Sequence, residues 1–219
     1  GDTLCASVTA AALAQSGHQV CWFMPQGRVL DAVNEGQVPY REPGLGDLLG
    51  EQRAAGRLRC EPMTLNGAPA APAVFLALQP GAQALAGEIA DWLASSGACG
   101  LLVNQSVFPV GTSEALQARF AESHSPARVV ALPETLQEGV AIDSFLRPHH
   151  ILLGCDDPEA ETLMREILRP FNRRRDVIRV MGLREAEFTK LAISGMLATR
   201  LSYMNDMALL AEQLDVDID

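Results

Sequence analysis

Apolar residues in this chain fall into short unbroken runs, separated by longer stretches in which they recur every three or four positions. Runs of that length read as buried strands, and the longer period reads as helices that bury one stripe. Strands are therefore predicted over 19–24, 57–60, 73–78, 100–105, 127–132, 151–154 and 176–180. Helices are predicted over 6–16, 28–34, 44–55, 82–95, 113–123 and 158–171. Strands alternating with helices are the sign of a mainly parallel sheet covered on both faces. Residues 1–181 are accordingly expected to form one α/β domain.

The pattern changes after residue 182. From Leu183 to about Leu214 the chain contains no proline, and Gly195 is its only weak point, which predicts a helix longer than most in globular proteins. Phe188, Leu191, Met196, Leu197, Leu201, Met204, Met207 and Leu210 recur along it at helical spacing. One side is thus expected to bury against the domain or against a second subunit, and residues 182–219 are read as a separate long helical region.

Composition narrows the partners. The chain has 219 residues, 48% of them hydrophobic and 20% charged, so a substantial core is within reach. The formal charge of −10 argues against nucleic acid and against an anionic membrane surface, since both select a basic face. The one basic run, at 173–175, reads as a solvated turn. Five scattered cysteines without a Cys-x-x-Cys pair indicate neither a disulfide framework nor a zinc site, and fit a reducing cytoplasm. No apolar run approaches the ~20 residues of a membrane span, and the start carries no basic-then-apolar signal pattern.

Several stretches carry more specific information. Residues 34–45 read NEGQVPYREPGL, 56–59 GRLR, 107–114 VFPVGTSE, 132–154 LPETLQEGVAIDSFLRPHHILLG and 187–206 EFTKLAISGMLATRLSYMND. In this order and spacing they resemble the UDP-glucose/GDP-mannose dehydrogenase family of nucleotide-sugar oxidoreductases. The resemblance implies an NAD-binding Rossmann domain followed by a long helix that joins domains and packs against a second subunit. It also implies a nucleotide-sugar ligand. In that family a sugar alcohol is oxidised to a carboxylate in two hydride transfers, the second through a thiohemiacetal on a cysteine in a Gly-rich motif of a later domain. None of the five cysteines here matches that nucleophile.

The cofactor positions are altered where the family pattern can be followed. A Gly-x-Gly-x-x-Gly turn uses its first glycine to turn, its second to admit the pyrophosphate and its third to pack helix on strand. The matching residues are Gly1, Thr3 and Ala6, with Leu4 beside them, so a β-branched side chain stands where the phosphates would lie. The acid that would hold the adenosine ribose is matched by Met24, whose thioether cannot accept those hydrogen bonds as a carboxylate does. NADP is the rival cofactor, with Arg28 as the residue that would reach a 2′-phosphate. Gln79-Pro80-Gly81 replaces the family's Gly-Thr-Pro, and in residues 105–111, QSVFPVG, Ser106 is kept while Val107 stands in place of the family's threonine.

The carboxylates are better preserved. Glu134 and Glu138, in PETLQEG, match two glutamates that lie near the thioester and its hydrolytic water in the family. Lys190 matches a lysine that stabilises developing oxyanion charge, although its asparagine companion is matched by Ser194. Read without the family, Glu138 is a loop carboxylate and Lys190 a surface cation. His149-His150 has no third ligand nearby in sequence, so no metal is expected.

A dinucleotide turn follows a strand in the middle of the sheet, yet Gly1 has none before it. An open slot would leave buried strand edges unpaired, so about six further apolar residues are expected upstream of Gly1, the alternative being that another segment fills the slot. The resulting expectation is a family member with an altered cofactor site and impaired or absent catalysis. Its alternatives are the N-terminal part of an active NAD-dependent UDP- or GDP-sugar 6-dehydrogenase, and a binder of another nucleotide.

Overall fold

The computed structural model describes residues 1–38, 40–64, 70–173 and 175–217; Arg28 is placed in its helix, but its side chain lies outside the described set, as does all of Arg174 in the basic run. The elements in chain order are α1 (Leu4–Gln15), β1 (Val20–Met24), α2 (Arg28–Asn34), α3 (Leu45–Ala54), β2 (Leu58–Pro62), β3 (Ala71–Leu76), α4 (Gln83–Ser96) and β4 (Cys99–Asn104). They continue with α5 (Thr112–Glu122), β5 (Arg128–Ala131), α6 (Ala141–Leu146), β6 (Ile151–Gly154), α7 (Pro158–Leu168), β7 (Ile178–Met181) and α8 (Leu183–Leu214). The fold is α/β and Rossmann-like with a mostly parallel sheet, as the alternation of periods predicts. Every predicted strand and helix has its counterpart. The short α6 was not anticipated.

Strand order explains why both faces must be apolar. β3, β4, β5, β6 and β7 lie side by side in that order, all parallel except the β5–β6 pair, which meets antiparallel at Ala131 and Gly154. Successive residues of β4 point to opposite sides: Leu101 and Val103 pack with α1 and α7, whereas Leu102 packs with α4 and α5. Val130 and Val129 divide in the same way on β5. This period of two, buried on both faces, turns the strand into a continuous hydrophobic run.

β1 and β2 form a separate parallel pair, with Trp22 opposite Cys60. Among the described residues no strand lies between β1 and β3. The segment 1–3 bridges their carboxyl ends. The Gly1 amino group donates to the Phe23 carbonyl at 2.9 Å, and the Thr3 hydroxyl donates to the Ala77 carbonyl at 3.3 Å.

α1 begins at this bridge. Its residues 6–14 are all buried, and the run is alanine-rich, which favours helix and lets neighbouring elements approach on every side. It ends where Gly17 adopts φ +106° and the His18 N–H returns to the Leu13 carbonyl at 3.1 Å, a closure that glycine permits without strain. α7 starts by a different device, an Asp157 carboxylate accepting from the N–H groups of Glu159 and Ala160, followed at once by Pro158.

The chain divides into two compact units, residues 1–187 and residues from 188 onward. The first contains the sheet and helices α1–α7 together with the opening turn of α8. The second is the remainder of α8, an unbroken helix through Gly195, on which Phe188, Leu191, Met196, Leu197, Leu201 and Met204 are exposed.

Candidate functional site

The carboxyl ends of β1, β3, β4 and β5 and the start of α1 share one edge of the first unit, the place where doubly wound sheets bind ligands. At the centre stands the glycine turn. A side chain at Gly1 would run into the Ala77 carbonyl, so this position admits only glycine. Thr3 is the N-cap of α1, and its Oγ1 accepts from the Ala6 N–H at 3.0 Å. That N–H belongs to the orphan donors of the first helical turn, which in phosphate-binding helices face the anion. Here a side chain of the protein satisfies it.

The rest of the turn is held as firmly. Trp22 Nε1 donates to the Gly1 carbonyl at 2.8 Å, and the Tyr40 hydroxyl donates to the Asp2 carbonyl. Burial, with the Asp2 carboxylate as a lesser influence, pushes the Tyr40 phenol up to about 12. Leu4 packs half-buried against the core beneath the turn. Tyr40 was missed as a site residue, although it lies in the NEGQVPYREPGL segment, because nothing in sequence pairs it with a carbonyl 38 residues away.

Met24 ends β1 with no exposed surface and packs among Val8, Trp22, Leu30, Leu45 and Leu58. Its carbonyl accepts from the Met63 N–H at 2.7 Å. Ser106 donates its hydroxyl to the Leu76 carbonyl at 3.0 Å and accepts from the Leu78 N–H at 2.9 Å, so it ties the loop after β3 to the loop after β4. Asn104 completes this tie, accepting from the Ser106 N–H and donating to the Ser113 hydroxyl. Val107 points outward, 46% exposed. The contact expected of Arg28 lies outside the described residues.

Glu134 and Glu138 lie on the loop that leaves β5. Glu134 is half-buried and accepts from the Leu136 N–H at 3.0 Å, whereas Glu138 is exposed. Beside Glu134 a cavity of about 50 Å³ is lined by Cys5, Gln105, Glu134, Leu136, Phe145 and His150 among others. It is too small for a nucleotide. Just beyond Glu138 the loop is anchored by Glu42: the Gly139 N–H donates to one carboxylate oxygen at 2.8 Å and the Ala141 N–H to the other at 2.7 Å.

A second buried glutamate repeats the arrangement. Glu187 accepts from the Gly111 N–H at 2.6 Å and from the Ser113 N–H at 2.8 Å, capping α5, whose own N-cap is a glycine without a side-chain oxygen. Sequence reasoning passed over both glutamates. The signal available was their place inside the quoted segments, without any hint of their partners. Lys190 lies on α8 in the second unit, half-buried.

A mostly parallel sheet covered on both faces, with a glycine turn at its carboxyl edge and an acidic loop beside it, followed in the chain by a long helix, defines a dinucleotide-type Rossmann module of the dehydrogenase kind. Residues 5–172 match the UDP-glucose/GDP-mannose dehydrogenase family, NAD binding domain, and residues 184–219 match that family's central domain, so the chain belongs to this family. It is 35% identical over 228 residues to a UDP-glucose 6-dehydrogenase of Pseudomonas aeruginosa, covering 97% of this chain and 50% of that protein. A UDP-glucose 6-dehydrogenase of Rhizobium meliloti is 30% identical, covering 96% of this chain and 51% of that protein. The structure of a UDP-glucose dehydrogenase from the archaeon Pyrobaculum islandicum superposes with a TM-score of 0.86 at 28% identity, covering 99% of this chain and 53% of that one. The chain thus spans about half the length of the curated relatives it matches.

Proposed function

We propose that this chain is a nucleotide-sugar dehydrogenase-type module with a weakened dinucleotide site, which keeps an acidic loop suited to a nucleotide-sugar ligand and has impaired or absent catalysis. The observation that carries the reading is the Thr3 hydroxyl on the Ala6 N–H, a bond made where a pyrophosphate oxygen would otherwise accept. Met24 supports it, because a fully buried thioether offers a ribose nothing. A charge-assisted hydrogen bond is worth roughly 1.5–3 kcal/mol, so losing the ribose acid alone would weaken binding by about tenfold or more.

Calorimetric titration with NAD tests this directly. The chain is expected to show no saturable binding at micromolar NAD, and Thr3→Gly, which removes the internal cap and opens the turn, is expected to tighten binding by about tenfold. Micromolar NAD affinity in the unaltered chain, with turnover of a UDP- or GDP-sugar, would sink the proposal. A thermal-shift screen over NAD, NADP, UDP and nucleotide sugars separates the weakened site from one that has changed its nucleotide.

A second reading has its own support. By resemblance of sequence Glu134, Glu138 and Lys190 match the family's reacting groups, and the relatives named UDP-glucose 6-dehydrogenase are about twice as long as this chain. On this reading Glu134 and Glu138 act near a thioester, Lys190 steadies an oxyanion, and the chain is the N-terminal part of an NAD-dependent sugar 6-dehydrogenase. NAD reduction on adding UDP-glucose to a sample that includes the remaining half would favour it. On either reading the Rossmann-type part corresponds to residues 1–181, and residues 182–219 serve a homodimer. The free cysteines fit a reducing cytoplasm, and no described helix is long and apolar enough to cross a membrane.

A further inference from the structure

One short segment, residues 40–45, touches both halves of the candidate site. Its Tyr40 hydroxyl holds the Asp2 carbonyl in the glycine turn. Two residues on, Glu42 is 8% exposed and grips the backbone on either side of Val140, with Gly139 on one oxygen and Ala141 on the other. The partners lie 97 and 99 residues away in the chain.

The bond pair has a clear physical logic. Burying a carboxylate is costly unless hydrogen bonds replace its hydration, and two N–H groups at short range do so. The receiving backbone needs the carboxylate as well, because Val140, the residue before α6, has no side-chain oxygen to cap that helix. Gly139 adopts φ +86°, a left-handed conformation that glycine takes without strain, and this turns its N–H and that of Ala141 towards one side chain. Glu138 immediately precedes the gripped residue, and Glu134 is tied into the same loop through the Leu136 N–H.

We propose that Glu42 is a positioning residue for the acidic loop: through Gly139 and Ala141 it fixes where Glu134 and Glu138 stand, and Tyr40 ties the same segment to the glycine turn. The loop's role towards a nucleotide sugar rests on the function proposed above, but the positioning itself can be measured without any ligand. Glu42→Gln leaves one oxygen to accept and turns an NH₂ group against the other N–H, so one of the two bonds is lost.

Hydrogen exchange of the full chain, followed amide by amide, reads the consequence. In Glu42→Gln, exchange is expected to rise about tenfold or more at Gly139 and Ala141, and with them at Leu136, while Gly111 and Ser113, held by Glu187, keep their protection. Faster exchange at Gly139 and Ala141 with Leu136 unchanged would overturn the proposal, because the bonds would then be local to α6. A general loss of structure would reveal itself at Gly111 and Ser113. In that event Glu42→Asp, which keeps the charge on a shorter side chain, is expected to give the same selective pattern at smaller amplitude, and its failure to do so counts against the proposal. Titration with UDP-glucose separates the two claims. If the unaltered chain binds it, Glu42→Gln should bind about tenfold more weakly, and equal affinity would refute positioning. If the unaltered chain does not bind it, the ligand reading falls and exchange at Leu136 still decides the role of Glu42.

Discussion

Met24 raises the question of whether a lost acid can simply be put back. The position ends β1 at the edge where a ribose would lie, yet its side chain has no exposed surface and packs into the cluster that joins α1, α2 and α3. A carboxylate introduced there would lose its hydration with no described hydrogen-bond donor to replace it, a cost of several kcal/mol that the group reduces by taking up a proton. Met24→Asp is therefore expected to destabilise the fold by about 3 kcal/mol or more, read from urea unfolding, and to restore no NAD affinity unless its neighbours change too. Unchanged stability with micromolar NAD binding would show that the side chain can swing outward. Thr3 is the opposite case: its hydroxyl serves only a cap and one carbonyl, and replacing a threonine cap by glycine costs only a few tenths of a kcal/mol. The two departures from the family pattern look alike in the sequence. They differ in how deeply the surrounding core has grown around them, which a letter at a motif position does not record.

At the scale of elements, legibility followed hydrophobic period. The strands of the larger sheet were readable because apolar runs such as 101–103 are buried on both faces, and the bounds of α2 and of α8 emerged as read. α6 was not readable, since six residues with Asp143 and Ser144 in their midst carry no period, and its start is capped by a glutamate from another segment. The antiparallel β5–β6 pair was equally hidden, because a single pairing leaves no trace in composition. Glu42 and Glu187 escaped for the same reason as α6: a polar residue declares its chemistry in sequence, whereas its partners are settled by tertiary structure. The strands also make a testable statement about alkali. Burial pushes the Cys99 thiol at the start of β4 up to about 11, and burial together with Glu61 does the same to Cys21 on β1. An unfolded thiol ionises near 9, so these groups leave stability intact below that pH and erode it as pH rises from there towards about 11. The loss is on the order of 2 kcal/mol for Cys99 alone. Urea unfolding at a series of pH values should show this decline, and Cys99→Ala should flatten it; a variant with the same alkaline slope as the parent would contradict the assignment.

The whole molecule presents an imbalance between its two units. The first buries its apolar residues in three main clusters around the sheet, whereas the second leaves most of its large ones in solvent. Leu197 is 59% exposed, Leu201 65% and Met204 54%, and with Ile193 they follow one another at steps of four, four and three, which places them on one face of α8. Monomeric proteins rarely leave a contiguous apolar patch of more than a few hundred Å² uncovered. A second copy of the helix supplies a matching stripe by symmetry, and a two-fold pairing buries the same residues on both subunits. Light scattering on the eluting protein is therefore expected to give twice the chain mass at micromolar concentration. Leu201→Glu places a charge in the middle of that stripe and is expected to return the mass to that of one chain, with the circular dichroism of the sheet domain unchanged. A single-chain mass for the unaltered protein at tens of micromolar would remove the dimer, because a helix carrying this much exposed apolar surface should have associated well below that concentration if its own copy were the partner.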